Sequence, residues 1–91
     1  MIVALVMIRC ERDHIPDAAR AIAGFEGVSE VYSVTGEWDL VAMVKVPQWE
    51  QIAEVVTEKI AKVDGLVRTE THMAFRVLSK EDLEAGYAGF E

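Results

Sequence analysis

Apolar residues run almost unbroken from Ile2 to Ile8, a stretch of strand length, before the pattern changes to helical spacing at Ile15, Ala18, Ile22 and Phe25. Asp13 is placed to cap that helix, and Pro16 suits its first turn, where no amide hydrogen is needed. Glu26-Gly27 stops the helix, and Val28 to Thr35 alternates as a strand. Leu40 to Val44 begins a second pass, ending at Pro47. Trp49, Ile52, Val56, Ile60 and Val63 follow at spacings of three and four, the stripe of an amphipathic helix in which Trp49 staples the start to the sheet. Asp64-Gly65 ends this helix as Glu26-Gly27 ended the first, and Leu66 to Leu78 reads as a fourth strand. The order is βαββαβ. Right-handed crossovers place both helices on one face of an antiparallel sheet, an α+β ferredoxin-like arrangement.

Period-two geometry makes the other face of that sheet informative. Val3, Leu5 and Met7 oppose Ile2, Ala4, Val6 and Ile8, while Leu40, Ala42, Val44 and Val46 oppose Val41 and Met43. Both faces are apolar, yet only one can meet the helices. The uncovered set would leave several hundred Å² of apolar surface in water, so a partner sheet is expected to cover it, most simply in a C2 homodimer.

Composition agrees. The 91 residues suit a single small domain, and a hydrophobic content of 52% exceeds what so small a core needs, again favouring an oligomer interface. No apolar run approaches the ~18 residues of a membrane span. The first residues lack the basic start and small-residue cleavage site of a signal peptide. With 16 acidic against 9 basic residues the net charge is −7 and no Lys/Arg cluster occurs, which disfavours nucleic acid and anionic membranes as direct partners. Cys10 is the only cysteine, so no internal disulfide can form. A reducing cytoplasm fits, and Cys10 reads as a small buried hydrophobe.

The segment Val34-Thr35-Gly36-Glu37-Trp38-Asp39-Leu40 carries the candidate chemistry. Gly36-Glu37 between two strand-like runs reads as a tight hairpin, Gly36 supplying positive φ in a type II′ turn. Asp39 is unusual just inside a strand. It either tops the hairpin by bonding backbone amides or faces a ligand. His14 and His72 lack a third partner at zinc spacing, so no metal site is expected. His72 alternates onto the same side as Arg68, Glu70 and Arg76, which reads as a solvated or interface face. Glu50, Glu54 and Glu58 form a solvated ridge with a Glu58–Lys62 pair. No nucleophile–base pair, carboxylate pair or phosphate loop appears. At the end of the chain, Ser79-x-x-Asp82 resembles a capping box, with Leu83, Tyr87 and Phe90 on one stripe; this predicts a short docking helix or a frayed acidic tail.

The apolar first strand, the break before Gly27-Val28, the Thr35-Gly36-x-Trp38-Asp39 hairpin, Val63-Asp64-Gly65-Leu66 and then Thr69-Glu70-Thr71 together resemble the ligand-binding (RAM) domain of the Lrp/AsnC, or feast/famine, regulators. The resemblance covers residues 2–78, giving a domain at 1–78 and a tail at 79–91. Full-length members begin with a helix-turn-helix; its absence here makes the chain look like the stand-alone form, and Trp38 replaces the commoner Tyr or Phe. The resemblance implies sheet-to-sheet homodimers assembling into rings, commonly octamers, with an amino-acid effector in clefts between dimers. Val34, Thr35, Gly36, Glu37, Trp38 and Asp39 would form one wall, with Asp39 near the ammonium. Thr69, Thr71, His72 and Met73 of a neighbour would form the other. Regulation would pass through a partner, such as a full-length relative, without direct DNA contact and without a cofactor. Two alternatives stand beside this: an oligomerisation module without effector, and a small cofactor-free dimeric enzyme.

Overall fold

The computed structural model describes residues 1–80, so the expectation of a short helix or frayed tail at 79–91 lies, from residue 81 on, outside the described residues. Strand β1 is Ile2–Cys10, followed by a 3-10 turn Arg12–His14 and helix α1, Ile15–Ala23. Strands β2, Val28–Ser33, and β3, Leu40–Val46, form the central hairpin. Helix α2 covers 50–62, and β4 is Leu66–Met73. The antiparallel sheet has the order β2-β3-β1-β4. This is the ferredoxin-like α+β fold expected from the repeat.

One face of the sheet and both helices enclose the core. Ala4, Val6, Ile8 and Cys10 of β1 lie beside Leu40, Ala42, Val44 and Val46 of β3, all buried against Ala18, Ile22, Ile52, Val55 and Ile60. The register Ala4–Val44, Val6–Ala42 and Ile8–Leu40 puts these side chains on a common face. Leu5–Met43 and Met7–Val41 therefore share the opposite, helix-free face, where Leu5, Met7 and Met43 stay part-exposed and Val41 is already buried.

Six local expectations change. Asp13 does not cap α1: it lies inside the 3-10 turn, and its carboxylate meets His14 Nδ1 at 3.1 Å. The β2–β3 connection is not a two-residue turn, because Ser33 pairs with Leu40 and residues 34–39 form a six-residue loop. Helix α2 is not uniform. It starts as α-helix at Glu50–Ala53, winds as π-helix over Glu54–Lys59 and ends as a 3-10 turn at Ile60–Lys62. Within the wider π turn Val55 is buried and Val56 packs only partly against the core, and Glu58 and Lys62 form no ion pair among the described residues. Trp49 staples nothing and is 63% exposed. Strand β4 stops at Met73, well short of Leu78, where the ladder with β1 ends opposite Ala4.

A candidate ligand site at the β2–β3 hairpin

Three backbone features fix the loop 34–39. The Val34 amide donates to the Asp39 carbonyl at 3.0 Å, closing the loop at its base. The Asp39 amide donates to the Ile8 carbonyl at 2.8 Å, so the second arm is stitched to β1. Gly36 has φ +104°, in the left-handed region, with open space where a Cβ would stand. A side chain there would be strained by its backbone rather than by any neighbour.

The half-buried carboxylate of Asp39 accepts the Cys10 amide at 2.9 Å. Of the two readings open from sequence, backbone capping is the contact present; the amide it satisfies lies beside the register shift between Arg9 and Cys10. Burial, with the negative charge of Asp39 adding to it, raises the Cys10 thiol above its ordinary pKa. Cys10 is therefore a buried, protonated thiol, as its place in the sequence suggested.

Two arginines complete the arrangement: Arg9, which the sequence reading left unnamed, and Arg68, which it placed only on the face shared with His72. Arg9 and Arg68 are opposite one another on β1 and β4 and project onto the helix-free face. The Arg9 guanidinium donates to the Glu37 carbonyl through Nε, at 3.0 Å, and also through Nη2. The Arg68 guanidinium lies 5.1 Å from the Trp38 ring centre and 4.0 Å from the Glu37 carboxylate. The signal available in the sequence was Arg9 ending the apolar run of β1, and Arg68 opening the polar alternation Arg68, Glu70, His72 of β4. Their contacts hold the loop over the end of the sheet, with Thr35, Gly36 and Glu37 exposed and Val34, Trp38 and Asp39 half-buried.

The other predicted wall divides. His72 is on the helix-free face opposite Leu5, with Nε2 2.8 Å from the Glu70 carboxylate. Thr69, Thr71 and Met73 alternate onto the helix face; Met73 packs against the core, and Thr71 borders a hollow over α2. Strand four therefore cannot present all four residues to one ligand. Its wall is either the Thr69–Thr71–Met73 side or the His72 side. Within one subunit the loop lies at the Cys10–Leu66 end of the sheet, whereas Thr71 and Met73 pair with Val6 and Ala4 further along. No three potential metal-ligating residues converge among the described residues, and no described helix is long and apolar enough to cross a membrane.

Residues 3–83 match the family profile described as the Lrp/AsnC ligand binding domain. An uncharacterised HTH-type transcriptional regulator of Pyrococcus furiosus is 33% identical over 81 residues, which are 86% of this chain and 54% of that protein. A Pyrococcus horikoshii relative of the same description has the same identity and coverage. The chain thus spans about half the length of these relatives. Among solved structures, TTHA0845 from Thermus thermophilus superposes with a TM-score of 0.83 at 44% identity, covering 88% of this chain and all of the other. E. coli AsnC shares the fold, with a TM-score of 0.77 at 21% identity over 84% of this chain and 52% of that one. The matched family is a ligand-binding domain of transcriptional regulators, not a family of enzymes. By sequence profile and by fold, this chain is a member of the Lrp/AsnC ligand-binding-domain family.

Proposed function

We propose that the chain is an oligomeric, cytoplasmic sensor domain that binds a small molecule, an amino acid in the first instance, and regulates transcription through a partner rather than by touching DNA itself. The observation that carries this reading is the loop at Gly36. Its conformation is held by Asp39, Arg9 and Arg68, yet its tip, Thr35 to Glu37, stays exposed. A fixed loop with accessible backbone groups beside a glycine can meet the ammonium and carboxylate of a small zwitterion closely. The free Asp39 oxygen adds a charge-assisted acceptor. One structural neighbour of the same fold, a transcriptional regulator from Neisseria meningitidis, was solved as a complex with L-Met.

The helix-free face supports self-association. Val3, Leu5, Met7, Val41 and Met43 form its apolar centre, flanked by Glu30, Lys45, Arg9 and Glu70. A second copy stacked on this face would bury that centre and bring charges of both signs to its rim. His72 would then lie inside the dimer. The side left for a neighbouring dimer is Thr69, Thr71 and Met73, and we place the second wall of the effector cleft there. In this reading such dimers assemble further into rings, up to an octamer, and co-assemble with a full-length relative.

Differential scanning with each of the twenty amino acids tests the reading. At least one should raise the melting temperature in a saturable manner, because a ligand that binds only the folded state stabilises it. Twenty flat responses, confirmed by calorimetry, would leave the domain a scaffold.

A further inference from the structure

On the side of the molecule formed by α2 and β4 there is a hollow of about 450 Å³ that the hairpin does not reach. Its apolar wall is Trp49, Ile52, Ala53 and Val56. Three polar side chains, Glu50, Thr57 and Thr71, complete the lining, and none has a hydrogen-bond or ion-pair partner among the described residues. This is the composition of a small-molecule pocket: an apolar body of suitable volume with a few unspent polar groups converging on it. Two further observations point the same way. An indole at the start of a helix, lining this hollow, is 63% in water. Val56 and Thr57 also come from the π-wound stretch Glu54–Lys59, a winding that is rare and frequently found at functional sites.

Charge narrows the ligand. Glu50 is the one ionised group in the lining, and no lysine or arginine is present to receive an anion. The partial positive end of the helix, roughly half a charge, is outweighed by the full charge of Glu50 beside it. A net charge of −7 draws cations toward the molecule as a whole. The Trp49 face also favours an ammonium group over a carboxylate.

We infer that this hollow is a second ligand subsite, bordering the proposed effector cleft only at Thr71 and not walled by the hairpin, for a small organic amine with an apolar or aromatic body. The ammonium group meets Glu50 and the indole and donates a hydrogen bond to the Thr57 hydroxyl, and the apolar body lies against Ile52, Ala53 and Val56.

The chain has two tryptophans, so Trp38→Phe leaves Trp49 as the only indole reporter. Phenethylamine titrated into that variant should change Trp49 emission saturably at millimolar concentration or below. Its carboxylate counterpart, 3-phenylpropionate, should bind on the order of tenfold more weakly or not at all. Glu50→Gln, at an exposed position, should weaken phenethylamine by a similar factor, while Asp39→Asn should leave it unchanged. No saturable response, an equal response to 3-phenylpropionate, or indifference to Glu50→Gln would overturn the amine site. Loss on Asp39→Asn would make the hollow part of the hairpin cleft and end its separate status. If Trp49 instead shows the emission of a buried indole and Trp49→Ser dissociates the oligomer, a second copy fills the hollow and the proposal fails.

Discussion

At the scale of single residues, Asp39 connects structure to the proposed chemistry. Its carboxylate accepts the Cys10 amide, so Asp39→Ala leaves a part-buried donor unmatched and should cost about 1–2 kcal/mol of stability by denaturant unfolding. Asp39→Asn keeps an acceptor oxygen and should retain most of that stability, yet should weaken a bound ammonium by about tenfold or more, since only the charge is lost. Equal losses of stability for the two variants would remove the capping role. Cys10 gives a pH test. Its folded pKa is raised above the ordinary 9.0, chiefly by burial and then by Asp39. The unfolded chain therefore releases this proton first. The stability due to the protonated thiol is complete below pH 9 and declines as pH rises through and beyond it. Relative to Cys10→Ala, the wild type should lose ground above pH 9 and hold it constant between pH 6 and 8. A difference that does not change with pH would contradict the buried, protonated thiol.

Helix α2 shows at the scale of elements where periodicity can be read and where it cannot. The spacings 49, 52, 56, 60 and 63 correctly announce a helix with Ile52 and Ile60 inside, but they assume 3.6 residues per turn throughout. The π winding over Glu54–Lys59 breaks that assumption, and no local composition cue announces it. Val55→Ala should therefore cost about 2 kcal/mol and Val56→Ala less than about 1; equilibrium unfolding of both variants decides between the π register and the α register, which requires the reverse order. The strands were easier, because β-branched runs separated by Glu26-Gly27 and Asp64-Gly65 mark their starts, and both glycines do take positive φ. The ends of strands were harder. Thr35 and Trp38 look like strand residues, but the Arg9 and Arg68 contacts draw the segment 34–39 into a loop over the sheet. Long-range tethers of this kind leave no trace in local pattern. The division of Thr71 from His72 follows from alternation alone and could have been read from sequence; the hollow beside Trp49 could not, since it depends on how α2 sits against β4.

At the scale of the whole molecule, two surfaces carry the account: the apolar helix-free face and the hairpin. Met43 is on that face, opposite Leu5 and clear of the helices, so Met43→Glu should spare the core while dissociating the oligomer. Sedimentation should show the wild type as a dimer or larger at micromolar concentration and Met43→Glu as folded monomer; a wild type that is already a folded monomer would contradict the sheet-to-sheet assembly. The central claim is that the effector cleft is shared, with the Gly36 hairpin from one subunit and the Thr71 side of strand four from another. Mixed assemblies test it most directly. Asp39→Asn and Thr71→Arg are each purified, shown to assemble, unfolded and refolded together, then titrated calorimetrically with the amino acid that most stabilises the wild type. Each variant alone should bind weakly or not at all, whereas the mixture should regain a fraction of wild-type sites, because some clefts then combine an intact hairpin with an intact strand four. Assembly without any recovery of binding would contradict the shared cleft.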